Sequence, residues 1–292
     1  MPVIAAFFFY LLACMLLSSL LLPWLHPVFD AMFEASPDRA LYRFAMLLAL
    51  IGMPFFLRAM KLRGRAAMGF QPLSENWHRV VGKGLGYGIL ILVGLVLILM
   101  VSGARLFSPR EEITLLLLTK YALAGLASGL AVGLIEEFFF RGPMQTGARR
   151  SLGFWPTAIL IGAFYSMVHF MRPVAPSSEE ITVAEAFSMM WGGFEQLGNV
   201  SEIADRFIAL LVAGVFLSMV RERTGSVVWA IGIHAGWVMT IKVAKKLTDS
   251  DANATTSWLL SSDGITGWGS ALWMAAIAAG YWWWTDPRRR RV

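Results

Sequence analysis

The chain is poor in cysteine, charge and histidine, and each shortage closes off a class of protein. Its one cysteine, Cys14, lies inside an apolar run, so neither an internal disulfide framework nor a cysteine-built metal site is available. Charged residues are 15% of the 292, against 57% hydrophobic. A soluble globule of this size needs more charge to cover its surface, so a water-soluble fold is excluded. There are four histidines and no His-Glu-x-x-His segment, which excludes a metallopeptidase site carried on one helix. Internal repeats, low-complexity tracts and a linker to a soluble domain are likewise absent from the sequence.

Long apolar runs are abundant instead. Val3 to Leu25 holds no ionisable group, and about 20 apolar helical residues cross a hydrocarbon core roughly 30 Å thick. Open strands would leave backbone groups unpaired in lipid, so the runs are read as helices. Eight are expected: Val3 to Leu25, Leu41 to Met60, Leu85 to Ser102, Tyr121 to Phe140, Phe154 to Met171, Ile203 to Val220, Ser226 to Ile241 and Trp268 to Trp284. The fold class is therefore an all-α membrane protein, a bundle of about eight transmembrane helices forming one polytopic domain over residues 1–292. The first run lacks a basic start and a small-residue cleavage site, and reads as a retained span. The twelve Trp suit interfacial belts. Ser188 to Phe194, apolar but too short to span, reads as an interfacial or re-entrant piece.

The net charge of +6 becomes informative once distributed. With the amino terminus inside, inner segments hold fourteen basic residues, including Lys61, Arg63, Arg65 and Arg288 to Arg291, against the acidic Glu75, Glu222 and Asp286. Outer segments hold ten basic and fourteen acidic, among them Glu179, Glu180, Glu185, Glu195 and Glu202. The excess of Lys and Arg on one side places both termini in the cytoplasm, in the inner membrane. Arg288 to Arg291 then reads as a stop-transfer anchor, and membrane lipid rather than nucleic acid is the expected partner.

Glu136 and Glu137 are the carboxylates that fit no loop or span end. They sit in Gly133-Leu134-Ile135-Glu136-Glu137-Phe138-Phe139-Phe140-Arg141, where a charge costs at least ~2.5 kcal/mol on insertion scales, so a site is the default reading. Residues four apart share a helix face, giving a stripe of Gly125, Gly129, Gly133, Glu137 and Arg141. Glycines at that spacing admit a close neighbouring helix, and Glu137 and Arg141 are expected to form a structural ion pair. Glu136 lies ~100° away and is free to act as a base. His169 and His234 also fall within apolar spans, whereas His26 and His78 fall at interfaces. A hairpin turning at Ser151-Leu152-Gly153 would set Glu136 and His169 at one depth, about 24 Å from the turn. Pro143 is expected to end or kink the first arm.

Two chemistries fit these residues. Glu136 is a general base with His169 orienting the water and His234 stabilising an oxyanion. Alternatively Glu136, His169 and His234 hold Zn²⁺ with a water in the fourth position. Proton-coupled transport is a further reading of buried Glu and His, without the matched broken spans that would favour it.

The order Glu136-Glu137-x-x-x-Arg141-Gly142, an aromatic four residues before His169, and a later span with His234 resembles the three motifs of the CPBP, or Abi, intramembrane protease family. That family includes type II CAAX prenyl endopeptidases and proteins linked to bacteriocin processing and immunity. The resemblance covers residues 121–241 as a catalytic core. It implies about eight helices and proteolysis of a membrane-associated, prenylated or lipid-anchored substrate, with the first Glu and second-motif His activating water and the third-motif His stabilising the oxyanion. Two positions depart from the family. Tyr165 stands where Phe is usual, and Val238 stands four residues after His234 where Asn is usual. Valine cannot donate to an oxyanion, so either His234 acts alone or the Trp237 indole supplies the second donor. The departure also motivates a rival, a catalytically silent scaffold or immunity protein of the same fold.

Overall fold

A computed structural model describes residues 2–70, 76–108, 112–178 and 180–286. Glu75, Glu179 and Arg288 to Arg291, used in the charge layout, lie outside the described residues. The fold is all-α, 79% helical. In chain order the helices are α1 (Pro2–Phe33), α2 (Pro37–Ala59), the short α3 (Gly64–Ala67), α4 (Trp77–Val101), α5 (Leu115–Phe139), a wide π turn (Phe140–Met144) continuing into α6 (Gln145–Ala148), α7 (Phe154–Phe170), α8 (Val183–Glu195), α9 (Val200–Thr224), α10 (Val227–Leu247) and α11 (Trp268–Trp284). Each of the eight expected runs coincides with one helix, overrunning it by at most one residue. Among the described residues six helices are long and apolar enough to cross a membrane, and α7 is a shorter apolar helix of 17 residues. The chain is a multi-pass membrane protein.

The surface supports this. Leu90, Val101, Leu115, Leu116, Phe55 and Leu123 are all more than half exposed, an outward-facing apolar layer that water would not tolerate but lipid requires. Ser188 to Phe194 lies in α8, a 13-residue helix packed on α1.

Inside the bundle, α10 is wedged between α4 and α5. The glycine stripe explains how. A Cβ on Gly129 of α5 would stand 2.7 Å from the Ala235 carbonyl oxygen of α10, and one on Gly84 of α4 would stand 2.7 Å from the Trp229 oxygen. Backbones meet on both flanks of α10 because no side chain intervenes. A second layer pairs α7 with α9, and α9 with α11; α1 packs on α2 and α8. One small element escaped the sequence reading: β1 (Arg105–Phe107) pairs antiparallel with β2 (Thr248–Ser250), tying the end of α4 to the end of α10. Buried Arg105 fastens this tie through Thr248 and Gly264.

Pro143 kinks the chain and does not stop it. Gly142 leaves helical geometry at ψ −109° and the turn widens, since proline has no N–H to donate and its ring displaces the carbonyl four residues back. The chain then continues to Ala148, turns through Arg149 to Gly153, and re-enters the bundle as α7 at Phe154. The hairpin turn thus falls where the spacing of Glu136 and His169 places it.

Candidate functional site

Glu136 and Glu137 occupy the last turn of α5 and part company at once. Glu137 and Arg141 are fully buried, and Arg141 Nη1 donates to Glu137 Oε1 at 3.0 Å. Arg141 Nη2 donates to the Gly214 carbonyl of α9 at 3.1 Å, and the guanidinium lies 4.7 Å from the Tyr165 ring of α7. The π turn is what brings Arg141 back over this pair. The same Glu137 Oε1 stands 2.9 Å from His234 Nδ1 on α10. This second partner is absent from the sequence reading, which assigns Glu137 to Arg141 alone. A carboxylate only accepts, so Nδ1 carries the hydrogen and Nε2 of His234 is left facing the cavity side.

Glu136 lies on the other side of His234 from Glu137. Its Oε2 is buried without a hydrogen-bond partner and lies 3.9 Å from His234 Nε2. On α7, His169 Nδ1 donates to the Tyr165 carbonyl at 2.8 Å. A carbonyl also only accepts, so the tautomer is fixed again with Nε2 free. Two imidazoles therefore present their Nε2 atoms and one carboxylate presents an unpaired oxygen. Glu136, His169 and His234 line one cavity of about 250 Å³, together with Tyr165, Arg172, Trp237 and Val238. The Tyr165 hydroxyl, the group by which this chain departs from the family aromatic, faces Glu136. The Trp237 indole N–H is buried with no acceptor. Val238 contributes an apolar wall one helical turn beyond His234.

Glu136 and His169 also border a second, apolar cavity of about 110 Å³ between α5, α7 and the first two helices, walled by Leu11, Met15, Met46 and Met53. Glu136 and His169 thus stand at the junction of an apolar and a more polar chamber. Tyr42 and Arg172, at the rim of these chambers, carried no sequence signal, because a lone Tyr in a span and a lone Arg at a span end are ordinary.

The donor set of Glu136, His169 and His234 is chemically right for zinc. Its placement does not fit: among the described residues no three His, Cys, Asp or Glu side chains are grouped to hold a metal ion.

A glutamate–histidine cluster facing an internal cavity of a helical bundle holds the groups that can activate water. Residues 118–240 match the family described as type II CAAX prenyl endopeptidase Rce1-like, which supports the family resemblance carried by the motifs and with it a CAAX-type endopeptidase in general terms. No curated protein and no solved structure matched the chain.

Proposed function

We propose that this protein is an intramembrane endopeptidase that hydrolyses a peptide bond of a membrane-associated, prenylated or lipid-anchored substrate with water activated by Glu136 and His169. The observation that carries the reading is the unpaired Glu136 oxygen in one cavity with the free Nε2 atoms of His169 and His234. Glu136 accepts a proton from the attacking water, and His169 Nε2 accepts the second hydrogen bond of that water, which fixes its lone pair toward the scissile carbonyl. To donate from Nε2, His234 must hold protons on both nitrogens, a form flanked by Glu137 Oε1 on one side and Glu136 Oε2 on the other. The imidazolium then stabilises the oxyanion, assisted by the Trp237 N–H where the family has Asn. Collapse of the tetrahedral intermediate breaks the C–N bond, and Glu136 returns its proton to the departing amine.

The apolar chamber suits a lipid chain, because its methionines are flexible and polarisable. The charge layout supports an inner-membrane protein with cytoplasmic termini, in contact with membrane lipid and not with nucleic acid. The test is cleavage of an S-farnesylated peptide by the detergent-purified chain. Cleavage is expected to vanish in Glu136→Gln and His169→Ala; cleavage that persists in both sinks the reading, and a wild-type chain without cleavage leaves the silent scaffold.

A further inference from the structure

At the C-terminal end of α10 a cluster of cations stands outside the catalytic cavity. Lys242, Lys245 and Lys246, with Arg105 of the β1–β2 tie, line a cavity of about 530 Å³ whose lining carboxylates are Asp249 and Asp263. Buried Arg105 is committed to Thr248 and Gly264, and Lys245 lies 3.6 Å from Asp263. Lys242 is exposed, and among the described residues it has no ion pair. The helix dipole favours cations in the last turn of α10 and so accounts for Lys245 and Lys246. It does not reach Lys242, which stands four residues before Lys246, where like charges repel. On the charge layout this end of α10 is the outer one, so orientation gives no reason for lysines there either. An anion held among the ammoniums relieves their repulsion.

The second observation is apolar. Lys246 lies 4.8 Å from the Tyr121 ring of α5, and these two residues also border a crease formed by Leu117 and Leu118 of α5 with Val243 and Leu247 of α10. The crease begins where the cavity ends. At the same end of the bundle Leu115 and Leu116 are exposed, as are Trp258 and Trp268 between β2 and the first turn of α11. Exposed leucine beside exposed tryptophan marks the boundary between hydrocarbon and headgroups. A ligand that occupies both spaces carries an anionic head and a hydrocarbon tail.

We propose that this cavity and its crease bind an anionic phospholipid, with the phosphate seated among Lys242, Lys245 and Lys246 and one acyl chain along Leu117, Leu118 and Val243. Ammonium groups bind phosphate as point charges, which suits a headgroup read by charge. The site is separate from the proteolytic reading and does not rest on it.

Fluorescent phosphatidylglycerol and phosphatidylcholine with the same short acyl chains are titrated against the full-length chain in detergent. Phosphatidylglycerol is expected to bind more tightly by on the order of tenfold. Lys242→Gln should reduce that preference by about fivefold, the worth of one cation near an anionic headgroup. Lys242→Gln/Lys246→Gln should bring it near one and Lys242→Arg should retain it, with phosphatidylcholine affinity and melting temperature unchanged. Lys120→Gln, at an exposed lysine of α5 outside the cavity, should leave the preference in place. Equal binding of the two lipids overturns the proposal, as does a preference that survives the double variant. An equal loss in Lys120→Gln also overturns it, since that marks a diffuse surface field. Lys242→Gln alone decides the case in which the double variant fails to fold. Glycerophosphate, a phosphate without acyl chains, is expected to compete only at far higher concentration; competition as strong as that of the lipid identifies a site for a soluble phosphate and sinks the phospholipid.

Discussion

Glu136 and Glu137 are neighbours in sequence with opposite circumstances. Both keep Oε2 unpaired, but Glu137 binds Arg141 and His234 through Oε1, while Glu136 lines the cavity. Replacing Glu136 by Gln preserves shape and removes a base, so kcat should fall by about 10²- to 10⁴-fold with the melting temperature little changed; an unaltered kcat would remove Glu136 from the mechanism. Trp237 permits a finer test. Trp237→Phe deletes only the unpartnered N–H, and a loss of about 10²- to 10³-fold in kcat is expected if it serves the oxyanion. The reverse change, Val238→Asn, introduces a donor on the cavity wall and should raise kcat and at least partly rescue Trp237→Phe. That Glu136 and Glu137 are chemically distinct was legible from the 100° step between them. That Glu137 serves His234 was not, because 97 residues separate the two and one sequence contains no trace of which span approaches which.

At the scale of elements, the α5 stripe joins packing to chemistry. The glycines that let α10 approach also bring His234 against Glu137, and the π turn after Phe139 returns Arg141 to the same carboxylate. Removing one member of a buried pair leaves the other charge unsatisfied, so Arg141→Ala should cost about 3–5 kcal/mol, read as a loss of unfolding free energy in detergent. If instead its unfolding midpoint equals that of the wild type, the pair is not structural. The loop between α10 and α11 offers a pH test outside the membrane spans. Burial alone would raise the Asp263 carboxyl, but hydrogen bonds from Thr266, Ile265 and Ser261, with Lys245 nearby, hold it below its usual 3.8. A lowered carboxyl stabilises the folded loop fully above the unfolded value and loses that contribution as pH falls through the folded one. Exchange of the Ile265 and Thr266 amides should therefore be steady from neutral pH to about pH 5 and accelerate below 3.8, after correction for intrinsic rates; Asp263→Asn should abolish the pH dependence. The long helices were legible because some twenty apolar residues have few other fates. The β1–β2 tie and the short α3 and α6 were not, being three or four residues each and held by tertiary contacts, with no periodic pattern of their own.

For the whole molecule, the two readings of the site predict different responses to chelation. Water activation by Glu136 and His169 predicts that cleavage survives prolonged treatment with a strong chelator and metal-free exchange. Loss on chelation with recovery on adding Zn²⁺ would restore the metal reading and require the side chains to regroup on binding. Two chambers meeting at one carboxylate are also a whole-molecule property, built from helices as distant in sequence as α1 and α11. Individual spans announce themselves by composition; the chambers arise from how the spans are arranged.

The contrast between the flanks of the site has a mechanical consequence. On the α4–α10–α5 side, backbones touch at the glycines, with no side chain between them at those points. On the α1–α2 side, the contacts are made by side chains, such as Phe7 on Phe56 and Tyr10 on the Ala49 carbonyl, beside a methionine-walled chamber. The first side sets His234 by backbone-to-backbone contact; the second borders the chamber with side chains. On the proteolytic reading, a lipid-bearing substrate that enters beside α1 and α2, which lie outside the segment matched to the family, would have to displace side chains and not backbones.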